Sequence, residues 1–88
     1  MAWYLYMIEC RDGSIYTGIT VDVRARYEKH CAGRGARYTR SHPPKSLLAQ
    51  VRYRDRSAAL KAEYRMKQLS ADEKRAFCAR RAARKRKR

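Results

Sequence analysis

The stretch WYLYMIEC, residues 3–10, carries bulky apolar side chains at nearly every position. Eight such residues in a row suit a strand covered on both faces rather than one lying on a surface. The turn residues RDG follow, then SIYTGI, which reads as a second strand. A hairpin whose first strand needs cover on two sides must recruit further elements to both, and this constrains the chain to a layered fold.

The turn decides which side chains share a face. A two-residue turn at Asp12-Gly13 would set Tyr6 and Tyr16 on opposite faces, because facing alternates along a strand. A three-residue loop, Arg11-Asp12-Gly13, with Gly13 in the left-handed conformation, pairs Cys10 with Ser14, Ile8 with Tyr16 and Tyr6 with Gly18. The second register is the one expected here. It makes Tyr6 and Tyr16 diagonal neighbours on one face and leaves room at Gly18 for a substrate backbone to approach.

Beyond the hairpin, Asp22 can cap a helix over residues 22–32 that stops at Gly33. Val23, Arg26, Tyr27 and His30 lie along one flank of it. Residues 33–44, GRGARYTRSHPP, read as a basic loop and 46–53 as a third strand. Residues 57–69 form a helix capped by Asp55 or Ser57, with Ala58, Leu60, Tyr64 and Met66 among its apolar members. SADE, residues 70–73, is a capping box that opens another helix. The expected fold is α+β: a small three-stranded, mainly antiparallel sheet flanked by helices in the order ββαβαα.

With 88 residues the chain can build one domain. Its 23 Lys and Arg against 8 Asp and Glu give a formal charge of +15. Such a field draws polyanions, so DNA heads the expected partners, with RNA as the alternative. Residues 80–88, RRAARKRKR, hold seven of these charges and read as a basic tail on a domain of residues 1–79. The tail is expected to be the frayed end of a helix or a disordered arm, neutralising phosphates without reading bases. No apolar run is long enough for a membrane span and the N-terminus lacks a signal-peptide pattern, so the expected compartment is the cytoplasm. Three widely spaced cysteines without a C-x-x-C pair indicate neither a zinc module nor a disulfide framework.

Tyr4-Leu5-Tyr6 and Tyr16-Thr17-Gly18, followed by Arg26, His30 and Glu63 in order, resemble the signature positions of the GIY-YIG nuclease superfamily. The departures are Tyr4 for glycine, Leu5 for isoleucine, and Thr17 in the second tripeptide. The resemblance spans about residues 3–69 and is closest to small single-domain members. It implies a metal-dependent endonuclease acting on branched or damaged DNA, in repair or recombination. Tyr16 would be the base or water-orienter, with Tyr6 positioning the same water or a phosphate oxygen. Arg26 would bind the scissile phosphate, His30 would orient a phosphate or relay a proton, and Glu63 would be the single protein ligand of Mg²⁺ or Mn²⁺. Lys67, Arg34, Arg37 and Arg40 are expected phosphate contacts. A lone tyrosine is ordinarily a poor base at neutral pH, its pKa being about 10, so nearby cations would have to favour the phenolate. The charge alone also fits a nucleic-acid-binding module that keeps the fold without turnover.

Overall fold

The computed structural model describes residues 1–86. Its elements are β1 (Trp3–Cys10), β2 (Ile15–Thr20), α1 (Val23–Cys31), α2 (Arg37–Ser41), β3 (Pro44–Tyr53), α3 (Arg56–Lys67) and α4 (Ala71–Arg86). The three strands form an antiparallel sheet in the order β2-β1-β3. The most apolar strand is therefore the central one, and Leu5, Tyr6, Met7 and Ile8 are all buried.

The hairpin adopts the three-residue loop. Tyr6 faces Gly18 and Ile8 faces Tyr16. Cys10 N–H donates to Ser14 O at 2.8 Å, Gly13 N–H donates to Cys10 O at 2.9 Å, and Gly13 takes φ 89°. Asp12 reinforces the turn by accepting from Ser14 N–H at 3.0 Å and Ser14 Oγ at 2.6 Å.

The sheet sorts its side chains onto two faces. On one, Leu5, Met7 and Ile15 pack with Ala62 and Met66 of α3 and with Phe77 and Cys78 of α4. On the other, Tyr6, Ile8 and Cys10 pack with Val23 and Tyr27 of α1, and Tyr16 and Tyr4 border them. Local chemistry sets the helix starts. Asp22 Oδ1 accepts from Ala25 N–H at 3.1 Å, and Asp55 Oδ1 accepts from Ala58 N–H at 2.9 Å. Both arms of the capping box form at α4: Ser70 N–H donates to Glu73 Oε1 at 2.8 Å, and Glu73 N–H donates to Ser70 Oγ at 3.2 Å.

One expectation needs correction. Residues 33–44 are not all loop: Arg37–Ser41 closes a short helix, and β3 begins at Pro44 rather than residue 46. Proline is tolerated there because β3 is an edge strand, where a missing N–H breaks no second ladder. In α3 the buried positions are Ala59 and Ala62, while Leu60 and Tyr64 are exposed. Small side chains let this helix lie close on the sheet, with Met66 packed inward and Leu60 and Tyr64 turned outward. Of the basic tail, residues 80–86 continue α4 as regular helix, and its last two residues lie outside the described residues. Among the described residues, no helix is long and apolar enough to cross a membrane.

Candidate functional site

Tyr6, at the middle of the central strand, is 1 % exposed. Its ring reaches over Gly18: a Cβ added at Gly18 would lie 2.7 Å from the Tyr6 hydroxyl oxygen and 2.9 Å from its Cζ. The room expected at Gly18 for a substrate backbone is thus taken by the phenol itself. The glycine serves the packing of Tyr6.

From Tyr6 a buried chain of hydrogen bonds runs inward. The Tyr6 hydroxyl lies 2.9 Å from His30 Nε2, and His30 Nδ1 lies 2.6 Å from Thr39 Oγ1. Thr39 Oγ1 in turn donates to Ala36 O at 3.0 Å. Because a hydroxyl has one proton and Thr39 gives it to the carbonyl, Thr39 accepts from His30 Nδ1–H. The His30 pKa is lowered by burial and by the charge of Arg26, so the ring is neutral and carries its one proton on Nδ1. Nε2 is then the acceptor, and Tyr6 O–H donates to it. Burial pushes the Tyr6 pKa up to about 12, assisted by Tyr16 and opposed by the neighbouring Arg26 guanidinium. Tyr6 therefore holds its proton, directed at His30.

Tyr16 completes the cluster from β2. Its ring centroid lies 6.2 Å from that of Tyr6, 5.0 Å from that of His30 and 5.9 Å from that of Tyr38. Unlike Tyr6 and His30 it is only half-buried. Arg26, one turn before His30 on α1, is also half-buried and acts electrostatically on both Tyr6 and His30. Four predicted site residues, Tyr6, Tyr16, Arg26 and His30, thus converge on one face of the sheet.

Glu63 stands apart from them. It belongs to α3, whose Ala62 packs on the opposite face with Leu5, Met7 and Ile15. Its side chain is 18 % exposed and its carboxylate pairs with Lys67 Nζ at 3.3 Å. Lys74 of α4, itself buried, has its pKa lowered by burial and by the charge of Lys67. Among the described residues no group of three or more His, Cys, Asp or Glu side chains could hold a metal. Arg34, Arg37, Arg40 and Lys67 are all exposed.

Thr39 was not foreseen from the sequence, since it meets its partner His30 only through tertiary structure. A local trace exists in Gly35: a Cβ there would sit 2.8 Å from His30 Cγ, so only glycine lets the loop cross the imidazole. Thr39→Val is expected to strand the His30 Nδ1–H in a buried setting and cost about 1–3 kcal/mol of stability. Chemical denaturation checks the loss, and the ¹⁵N shifts of His30 should report a mixed tautomer in place of a single one.

The His30 pKa also sets a pH dependence. Its folded value lies below the ordinary 6.5, so below about pH 6.5 the unfolded chain takes up a proton that the folded chain refuses. Stability contributed by neutral His30 is fully present above that pH and is lost as the pH falls. Melting temperature should drop from about pH 7 to about pH 5 in a His42→Ala background, where His30 is the remaining histidine. A flat profile would contradict the assignment.

A family model described as the GIY-YIG catalytic domain matches residues 2–76. A UPF0213 protein of Cupriavidus necator is 56% identical over 78 residues, covering 89% of this chain and 85% of that protein. The UPF0213 protein YhbQ of Escherichia coli is 47% identical over 72 residues, covering 82% of this chain and 72% of its own length. The solution NMR structure of a UPF0213 protein from Bacillus halodurans superposes with a TM-score of 0.56 at 42% identity, covering 90% of this chain and 84% of that one. With a family model matched over residues 2–76 and relatives of this length up to 56% identical, the chain belongs to the GIY-YIG family.

Proposed function

We propose that this protein is a divalent-metal-dependent DNA endonuclease that hydrolyses phosphodiester bonds in branched or damaged DNA. The observation that carries the reading is the convergence of Tyr6, Tyr16, Arg26 and His30 on one sheet face, in a chain of charge +15 that belongs to a nuclease family.

The two tyrosines divide the work according to their surroundings. Tyr6, with its pKa raised and its O–H directed at His30 Nε2, is a fixed donor and cannot serve as base. Tyr16 is the phenol left with access to substrate, and it is the group that orients and deprotonates the attacking water. The water oxygen bonds to phosphorus as the bond from phosphorus to the 3′ oxygen breaks; the water gives its proton to the Tyr16 hydroxyl oxygen, which releases its own proton to solvent, and the departing 3′ oxygen takes up a proton from solvent. Arg26 contacts the non-bridging oxygens in a forked geometry and offsets the charge that builds on them. His30 and Thr39 keep the Tyr6 ring in place.

The donor set suits a hard cation held loosely. Mg²⁺ commonly takes one or two carboxylates and completes its shell with water and phosphate oxygens. Glu63 is one carboxylate, mostly shielded and already paired with Lys67. It would hold Mg²⁺ or Mn²⁺ weakly before DNA arrives, and the ion would supply charge stabilisation to the leaving oxygen. α3 packs against β2, an edge strand, and on this reading a phosphate lying at that edge meets Tyr16 from one face and Glu63 from the other. Lys67, Arg34, Arg37 and Arg40 contact flanking phosphates.

The test is a nicking assay on labelled flap, fork, junction and linear DNAs with Mg²⁺ and Mn²⁺. Cleavage that depends on the ion and favours a branched substrate supports the reading. The pairing of Glu63 with Lys67, together with the high charge, favours as the second reading a nucleic-acid-binding protein without turnover. Tight, salt-sensitive binding with no product on any DNA establishes that reading instead.

A further inference from the structure

Beside the tyrosine cluster stands an aromatic array that hydrolysis does not use. Tyr38 stacks on His42 with centroids 4.2 Å apart and an interplanar angle of 21°, and its other neighbour is Tyr16 at 5.9 Å. Tyr38 is 38 % exposed and the His42 side chain 36 %. The array adds little to either core, yet it is anchored. His42 Nδ1 lies 2.5 Å from Asp12 Oδ2, across thirty residues of sequence. Asp12 is itself fixed by the Ser14 hydroxyl and backbone, which with His42 hold its carboxyl well below the usual range.

Three features identify what such a surface takes. Aromatic rings held rigid and accessible bind flat π-systems at low ordering cost. Arg37 and Arg40, exposed on either side of Tyr38 in the chain, suit phosphates flanking a bound nucleotide. The Asp12 carboxylate at the far end of the array repels a phosphate, so the occupant of the array itself is the uncharged base. We propose that Tyr38 and His42 form a stacking platform for one unpaired base, belonging to the nucleotide next to the phosphate at Tyr16. Bases inside a duplex are already stacked and reach such a platform only by being extruded. The platform therefore selects DNA with an unpaired nucleotide beside the cut, and it supplies a physical basis for choosing branched or damaged substrates. It rests on the nuclease reading for the position of the cut, while stacking itself can be measured without cleavage.

The experiment uses the full chain and a short duplex with a single-stranded overhang carrying 2-aminopurine at successive positions, in the absence of divalent metal. Stacking quenches the fluorophore. Wild-type protein should quench it severalfold at one overhang position and bind that DNA about tenfold tighter than the same DNA abasic there. Tyr38→Ala should lose both effects, Tyr38→Trp should keep them, and affinity for a blunt duplex should stay the same throughout. Equal wild-type affinity for base and abasic overhangs overturns the proposal, and so does undiminished quenching by Tyr38→Ala. The wild-type comparison decides the matter even if the alanine variant fails to fold. Quenching without nicking on any DNA removes the nuclease reading and leaves the platform standing. Nicking without quenching does the reverse.

Discussion

Tyr16→Phe is expected to slow metal-dependent nicking by about a hundredfold or more, the usual worth of a positioned general base. DNA affinity should stay within about twofold, because the ring keeps its neighbours His30 at 5.0 Å and Tyr38 at 5.9 Å and loses only a hydroxyl. The folded state should be hardly affected, since Tyr16 is half-buried and its hydroxyl is not part of the Tyr6–His30–Thr39 chain. Tyr6→Phe should behave in the opposite way. It removes the donor to a buried His30 Nε2 and leaves that acceptor unpaired, at a cost of about 1–3 kcal/mol. Single-turnover nicking rates beside chemical denaturation separate the two roles. If Tyr6→Phe alone lost activity while Tyr16→Phe cut normally, the assignment of base and donor would be reversed.

Glu63→Gln carries the second large effect. The substitution keeps the shape of the side chain and removes its charge, so the only described ion pair lost is the one with Lys67 at 3.3 Å. Lys67 is half-exposed, and such an i,i+4 pair contributes well under about 1 kcal/mol. Stability should therefore barely change. Nicking should fall by about a hundredfold or more in both Mg²⁺ and Mn²⁺, because charge stabilisation at the leaving oxygen commonly contributes several kcal/mol. Binding to DNA should hold or strengthen slightly as one negative charge disappears from the surface. Cleavage by purified Glu63→Gln at the wild-type rate would refute a metal role for this carboxylate.

What could be read from residues alone divides along a physical line. The hairpin register follows from local turn chemistry, because a left-handed Gly13 closes a three-residue loop and every facing along β1 and β2 then follows. The start of α4 was equally legible, since Ser70 and Glu73 satisfy each other's backbone donors within four residues. Arg26 and His30 share a flank of α1 by helical period alone. The features that escaped depend on contacts distant in sequence. Thr39 matters because of His30, His42 because of Asp12, and neither pair is joined by any periodicity. The short helix Arg37–Ser41 has no side-chain cap, so nothing local announces it. The outward turn of Leu60 and Tyr64 was hidden for another reason: hydrophobicity suggests burial, but close approach of α3 to the sheet favours the alanines.

The same division explains the site. Residues that build its protein-facing half, Tyr6, His30 and Thr39, are tightly buried and hydrogen-bonded before substrate arrives. Those that would meet DNA, namely Tyr16, Arg26 and the exposed arginines of residues 34–40, are only half-buried or open. Rigidity thus sits behind the groups proposed to react and accessibility in front of them, an arrangement that suits preorganised electrostatic catalysis.

The proposed cleavage requires Tyr16 and Glu63 to reach one phosphate from opposite sides of the β2 edge. Nicking rates of wild type, Tyr16→Phe, Glu63→Gln and the double variant, measured under single-turnover conditions with Mg²⁺, test this most directly. Groups that act as a unit on one transition state are strongly non-additive, so the double variant should be about as slow as the slower single one. Losses that simply multiply, or full activity in Glu63→Gln, would contradict it.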